Sequence, residues 1–403
     1  MKSFFAIIIF IFSFMNLYSQ DNLKFSFQIR PRFEIDNKDF KSSSNPNTFT
    51  QLRTRLGLSF KPVKNLYGVI QVQDSRTFGE EQSTLSNSKN LDVHQAYFLI
   101  NDIFNLPIDI KVGRMELSYG SEKFIGPVSW SNIGRAFDGG IITLKNKSFK
   151  AEIFAIREFE KFNPSDSMDQ NIYGLFTDLY LSSAYKIQPF VIWQRVNPTN
   201  YLDRATAGLY VKGDLGRFQH ELDFGYQFGK AFLFNRKQDV NALTFSINGN
   251  YTFRSNCKPT VGLQFDYASG DNNPVDNNYK TYTSLYPTGH KFYGYMDYFI
   301  NIQNDTYGLG IMDFIGKFNF TPFNGLTIHF NYHIFKSAQD YKLISNKTAN
   351  DFGSEFDFLI NYKYNEYVNF EGGASLFFPG EIFKEKRGKD NSTWFYLMAV
   401  INI

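Results

Sequence analysis

Seven arginines fall within the first 140 residues of the chain: Arg30, Arg32, Arg53, Arg55, Arg76, Arg114 and Arg135. Four of them form two i,i+2 pairs. On an extended strand that spacing puts both side chains on one face, so Arg30 and Arg32 share a face with Glu34, and Arg53 and Arg55 share one with Gln51. If these two strands are neighbours and Glu34 lies opposite Gln51, then Arg32 faces Arg53 and Arg30 faces Arg55. Like charges set directly opposite are destabilising, so the cluster calls for carboxylates or for a passing anion, which the planar guanidinium fork binds through paired hydrogen bonds. Glu34, Glu116 and Asp138 are the candidate internal partners. Two roles stay open: a path for anions, or an ion-paired network that only shapes a pore.

Other chemistry is sparse. His329 and His333 share a face, but four residues along a strand is about 13 Å, too far for both to ligate one metal. A structural role in a lumen is expected for them. The acidic, amide-rich stretch 269–278 (SGDNNPVDNN) lacks the Gly and terminal Glu of a helix-loop-helix calcium loop. No metal or cofactor is expected. The single Cys257 excludes an intramolecular disulfide. A surface lipase would need a Ser beside a His on a lipid-facing wall. The clearest strands show neither there, so an enzyme is not expected.

The elements that must position the arginines read as strands. From about residue 24 to 403 the chain divides into roughly eighteen segments of alternating apolar and polar residues, the signature of a transmembrane barrel. In Phe25–Ile35, Phe25, Phe27, Ile29 and Phe33 alternate with Ser26, Gln28, Arg30, Arg32 and Glu34. In His220–Gly229, Leu222, Phe224, Tyr226 and Phe228 alternate with Glu221, Asp223 and Gln227. The apolar set is expected to meet lipid and the polar set a watery lumen. Val93–Ile100 and Ile108–Glu116 alternate poorly. Arg114 falls on the parity of Ile108, Ile110 and Val112, which requires a bulge near Gly113 or a strand rising out of the membrane. Connections alternate too. Short ones lie near 61–65, 101–107, 213–218 and 321–325. Long ones lie near 36–50, 75–91, 117–138, 158–173, 195–205, 229–241, 269–307, 336–352 and 378–393. Short periplasmic turns and long external loops are the barrel convention. The expected fold is all-β: one antiparallel up-and-down transmembrane barrel of about 18 strands, with Trp394–Ile403 pairing back on the first strand to remove both edges.

Composition agrees. Aromatics make up 18% of the chain, with 46 Phe and 25 Tyr, yet mean hydropathy is negative. No later segment offers the run of about 20 apolar residues that a spanning helix needs. Only alternate residues of a barrel strand meet lipid, which reconciles the two facts. Lys2, the apolar run Phe4–Phe14 and Ser19 have the layout of a secretory leader over 1–19 with cleavage near Ser19–Gln20. A single barrel then occupies 20–403. A net charge of +3 gives no reason to expect nucleic acid.

Several strings together resemble the alginate-export family of outer-membrane barrels: RPRFE (30–34), QLRTRLG (51–57), QVQDSRTFG (71–79), QAYFLI (95–100), KVGRMELSYGSEKFIG (111–126), WSNIGRAFDGG (130–140), DYASGDNN (266–273) and LYPTGHKFYGYMD (285–297). The resemblance implies an eighteen-stranded barrel in the outer membrane of a Gram-negative cell, with an Arg-rich lumen through which an anionic polysaccharide leaves. On that basis Arg30, Arg32, Arg53, Arg55, Arg76, Arg114, Arg135 and Asp138 are the lumen residues to name. Expected partners are outer-membrane lipid, an anionic polysaccharide or small anionic solute, and periplasmic secretion components. The competing readings are a general porin for small solutes and a non-conducting barrel used as an adhesin or scaffold.

Overall fold

The computed structural model describes residues 22–86, 90–160, 169–196 and 202–403. The leader expected over 1–19 lies outside them, as do parts of the loops near 75–91, 158–173 and 195–205. Nineteen strands form one sheet: β1 (Leu23–Asn37), β2 (Asn47–Val63), β3 (Leu66–Thr77), β4 (Leu91–Ile100), β5 (Ile108–Met115), β6 (Phe137–Lys145), β7 (Phe149–Phe159), β8 (Gln170–Ser182), β9 (Tyr185–Val196), β10 (Leu202–Leu215), β11 (Phe218–Leu233), β12 (Arg236–Thr252), β13 (Thr260–Ala268), β14 (Asn278–Tyr279), β15 (Ile311–Phe323), β16 (Leu326–Lys342), β17 (Thr348–Lys363), β18 (Val368–Pro379) and β19 (Ser392–Asn402). The two-residue β14 lies alongside β12. The other eighteen pair antiparallel with their neighbours in the chain, and β19 closes on β1. Closure leaves the wall without a sheet edge.

Alternation decides which side chain goes where. On β11, Phe224, Tyr226 and Phe228 are about 40% exposed on the outer face (40%, 39% and 43%), whereas Asp223 and Gln227 between them are 3% and 0% exposed on the inner face. Poor alternation in β4 has a local cause. Its pairing with β3 slips between Gln71 and Val72, leaving His94 as an extra residue. In β5 the pairings on both sides run without a slip through Gly113. Arg114 therefore stays on the outer face, near the end of the strand, and there is no bulge.

Two loops expected to be long are short. β11 and β12 run on until only Phe234 and Asn235 join them, both at positive φ (50° and 61°). Strands β16 and β17 likewise leave only residues 343–347 between them. Lys230, Lys237 and Asp239, within the first of these regions, lie on strand.

The lumen is not simply polar. Inward residues of β7, β8 and β9 include Phe154, Ile156, Ile172, Phe176, Phe190 and Ile192, all buried. They pack against two long connections that fold into the barrel, residues 116–136 and 269–310. Tyr119 stacks on Phe176 at 4.2 Å and Phe124 lies 4.7 Å from Phe190. At the long-loop end, Phe40, Phe299, Phe352, Phe377 and Phe383 form one aromatic cluster.

Candidate functional site

The strands that place the arginines are β1 and β2. Both polar faces point inward as expected, but the register is displaced by two residues. Arg30 faces Arg53, Arg32 faces Gln51 and Gln28 faces Arg55. The slide preserves parity, which a one-residue slip would have destroyed. It also leaves one facing Arg pair where two were expected. Arg32 gains Gln51 Oε1 at 2.6 Å, with Glu34 2.8 Å away, and Arg55 donates to Gln73 at 2.6 Å.

Most of the remaining guanidinium hydrogens are taken by backbone. Arg30 donates to the carbonyls of Ser129, Trp130 and Ser131 at 2.6, 3.0 and 2.9 Å. Arg53 donates to Ser129 and Ser131 at 3.0 and 2.9 Å, and Arg32 to Trp130 at 2.5 Å. Arg55 reaches Glu116, which also meets His94 at 2.7 Å. The Arg32 guanidinium lies 4.0 Å over the Trp130 ring, whose other neighbour is His290, stacked at 4.0 Å. The basic wall thus grips the inward loop 116–136. Its two carboxylates, Glu34 and Glu116, serve four guanidinium groups. Carbonyls satisfy hydrogen bonds but cancel no charge, and beyond the two paired carboxylates Glu371 and Asp297 lie close enough to act on Arg30 and Arg32.

Arg135 is on the loop itself. It donates to the carbonyls of Gly126, Tyr286 and Pro287, fastening loop 116–136 to loop 269–310. Backbone bonds between Tyr286 and both Phe124 and Gly126 complete that seam. Three residues expected in the lumen are on the outer face instead. Arg76 pairs with Asp74 at 2.6 Å and lies near Glu81, while Arg114 pairs with Asp138 at 2.7 Å. The reason is parity: Gln73 and Ser75 turn inward to Arg55 and Asn132, so Arg76 must turn out.

The opposite wall carries the complementary charge. Asp266 on β13 directly faces Asp313 on β15, and both are fully buried. Lys123, from the inward loop, brings Nζ to 3.3 Å from Asp266 and lies over the Phe292 and Tyr293 rings. Burial pushes the Lys123 ammonium pKa down, but Asp266 more than offsets this and holds it above its usual value. The His333 ring bridges Asp313 (2.9 Å) and Asp357 (3.5 Å). Glu355 accepts the Met296 backbone N–H at 2.9 Å. Sequence reading put His333 in a structural lumen role but missed the rest. Lys123 and Asp266 lay within the strings KVGRMELSYGSEKFIG and DYASGDNN, where nothing in their spacing connects them.

Between β10–β15 and the two inward loops, toward the short-turn end, lies a polar cavity of about 410 Å³ lined by Lys212, Lys291, Lys317, Glu122, Glu221 and Asp223 among others. Glu122 pairs with Lys291 at 2.6 Å, and Asp223 accepts from Ser121 at 2.8 Å. Lys212 has no ion-pair partner among the described residues. Among the described residues no group of three or more His, Cys, Asp or Glu side chains is placed to hold a metal.

A closed eighteen-strand barrel matches what comparison with known proteins finds. The alginate-export family model matches residues 21–396. The chain belongs to the alginate-export family. No curated protein matches it. Solved structures similar to this alginate-export barrel include a BenF-like porin from Pseudomonas fluorescens Pf-5, at 11% identity and TM-score 0.64, covering 94% of this chain and 98% of that one. Pseudomonas aeruginosa OccK11 (OpdR) is similar at 12% identity and TM-score 0.63, covering 94% and 96%. Acinetobacter baumannii OccAB1 is similar at 11% identity and TM-score 0.63, covering 96% and 97%. At such identities these likenesses concern the fold. Together with the family they mark this alginate-export barrel as an outer-membrane channel rather than an enzyme.

Proposed function

We propose that this barrel passes anionic solutes across the outer membrane, with acidic saccharides, up to an anionic polysaccharide, as the cargo class. The observation that carries the reading is the charge imbalance on the basic wall. Among the described residues only two carboxylates, Glu34 and Glu116, form ion pairs with the four guanidinium groups of Arg30, Arg32, Arg53 and Arg55, and backbone carbonyls occupy the remaining hydrogens without neutralising them. A net positive patch in a narrow lumen with low-dielectric walls concentrates anions. In the cavity Lys212 has no ion-pair partner among the described residues, while Lys291 is matched by Glu122. Glu116, Arg135 and Glu34 hold the loops and the arginines in place rather than meeting cargo. One structural neighbour, Pseudomonas aeruginosa OpdK, was solved with vanillate, a small carboxylate, at TM-score 0.59.

Loops 116–136 and 269–310 set the size limit. A solute of a few sugar rings matches the cavity; a polymer needs the loops displaced. The second reading, a non-conducting barrel, draws on the same loops, because their apolar packing on Phe154, Phe176 and Phe190 fills that side of the lumen.

Ion currents through the protein in a planar bilayer separate these readings. The expected result is anion selectivity, block by polyuronate, and loss of most selectivity in Arg30→Gln with Arg53→Gln, which removes charge but keeps N–H donors for the loop. Cation selectivity would contradict the anion path, and absence of current would favour the non-conducting barrel.

A further inference from the structure

The two ends of the barrel differ in charge. Eight short turns lie at one end, and between the strands they join they carry five cations: Lys64, Lys147, Arg217, Arg254 and Lys258. Among the described residues none of the five forms an ion pair. The same turns carry two carboxylates, Asp102 and Glu366. Lys145 matches Asp102 at 3.2 Å, which leaves Glu366. At the long-loop end the signs mix and pair: Lys280 with Asp276, Arg387 with Asp305, Arg76 with Asp74. The excess of cations is densest where two short turns meet. The Arg217 carbonyl accepts the Thr252 N–H at 2.9 Å, which sets the β10–β11 turn beside the β12–β13 turn with its Arg254 and Lys258. Asp214, at the end of β10, turns its carboxylate to the Gly216 N–H at 2.9 Å and to the Gln219 amide.

Apolar side chains stand beside these cations. Val63 precedes Lys64, Leu215 lies two residues before Arg217, and Phe253 precedes Arg254; all three are exposed. Phe104 and Leu181, at two further turns, are 86% and 71% exposed. A cation and an exposed apolar group on one turn suit a bilayer boundary. The apolar part enters the acyl region, and the long charged stem reaches the headgroups. The arrangement also runs around the barrel, from the β2–β3 turn through the β6–β7 turn to the β12–β13 turn. A leaflet surrounds a barrel on every side, whereas a single protein partner covers one sector.

We propose that the short-turn rim binds anionic phospholipid headgroups of the periplasmic leaflet, with Arg217, Arg254 and Lys258 as its strongest site. The two guanidinium forks suit phosphate oxygens, and Lys258 adds a point charge. Each cation near a lipid surface adds attraction to an anionic leaflet, and that attraction falls off within a Debye length. The contact fixes the height of the barrel, with its turns at headgroup level. The proposal rests on the membrane reading above, so its test must distinguish the two.

Cys257, the single cysteine, is exposed between Arg254 and Lys258 and can carry a fluorophore without further substitution. The labelled full chain is reconstituted in phosphatidylcholine vesicles. These hold a small, equal fraction of either phosphatidylglycerol or phosphatidylcholine bearing a nitroxide at the top of one acyl chain. The anionic quencher should act roughly fivefold more strongly than the zwitterionic one. The preference should fade in about 1 M salt, where charges act only within about 3 Å. Arg217→Gln with Arg254→Gln and Lys258→Gln should abolish it, while quenching by the zwitterionic lipid persists and shows the barrel still inserted. A preference that survives this triple variant assigns the attraction elsewhere and overturns the site. So does a preference that millimolar glycerol phosphate removes, because the occupant is then a soluble phosphate. Equal quenching by the two lipids in the wild type also overturns it, leaves the membrane reading standing and points these cations toward an acidic polypeptide. If neither lipid quenches, the turn lies away from any bilayer, and the membrane reading fails and takes the lipid site with it.

Discussion

The two charged walls of the lumen hold the same pair of loops by opposite means. On β1 and β2 the wall supplies cations and the loop supplies backbone carbonyls: Arg30, Arg32 and Arg53 converge on Ser129, Trp130 and Ser131. On β13 to β17 the wall supplies carboxylates and the loop supplies one ammonium, Lys123, with the Met296 N–H as a second contact. The basic wall is redundant, since two arginines share the Ser129 and Ser131 carbonyls. The acidic wall is not. Asp266 and Asp313 face each other at full burial, and Lys123 is the cation that the loop brings to them. Redundant contacts tolerate loss of one member, whereas Asp266, unlike Asp313 with His333, has Lys123 as its one ion-pair partner among the described residues.

The largest effect should therefore come from Lys123→Met. Removing one partner of a buried ion pair costs about 3–5 kcal/mol, to be read from urea unfolding of the barrel in lipid. Proteolytic nicking of loop 116–136 should rise with it. A loss no larger than that of Arg53→Ala would erase the contrast between the walls.

Next in size is the basic wall. Arg53→Ala alone should cost about 1 kcal/mol, because Arg30 still serves the shared carbonyls and the facing like charge is gone. Arg30→Ala alone should behave similarly. The double variant strands those carbonyls, each worth about 1–3 kcal/mol when buried and unpaired. It should therefore cost more than the sum of the singles. Simple additivity in this double-mutant cycle would show that the arginines act independently and that the redundancy is only apparent.

The smallest expected effect is a pH dependence at the polar cavity beside β10–β15. Burial raises the pKa of Glu122, but hydrogen bonds from Lys291 and Thr288 and the Lys291 charge outweigh it, and the carboxyl is held below its usual value. A depressed carboxyl contributes stability that is complete above its unfolded pKa, about 4.3, and is lost as pH falls through the lower folded value. Wild type should exceed Glu122→Gln in stability at neutral pH, and the difference should shrink only below about pH 4. A difference independent of pH would mean that the Lys291–Glu122 pair contributes nothing.

Much of this molecule was legible before folding. Parity alone put Arg30, Arg32, Glu34, Arg53 and Arg55 on inward faces and Phe224, Tyr226 and Phe228 outside, because a strand offers only two faces and burial separates them. The family strings and the approximate count of eighteen strands were legible for the same reason: both are local. Register was not. A slide of two residues between β1 and β2 leaves every face unchanged, so the pattern could not say whether Arg30 would meet Arg53 or Arg55. Arg76, Arg114 and Asp138 show a different limit: the resemblance put them in the lumen, while parity, a local property, sent them out. Loops 116–136 and 269–310 could be recognised as long, but not as filling the barrel. Whether a long loop hangs outside or folds inward depends on contacts made between residues far apart in the chain, such as Lys123 with Asp266 and Arg30 with Ser129, and a one-dimensional period carries no term for them. The sequence by itself determined the wall and its two faces. The tertiary structure decided what occupies the lumen, because that depends on which inward charges meet which loop atoms.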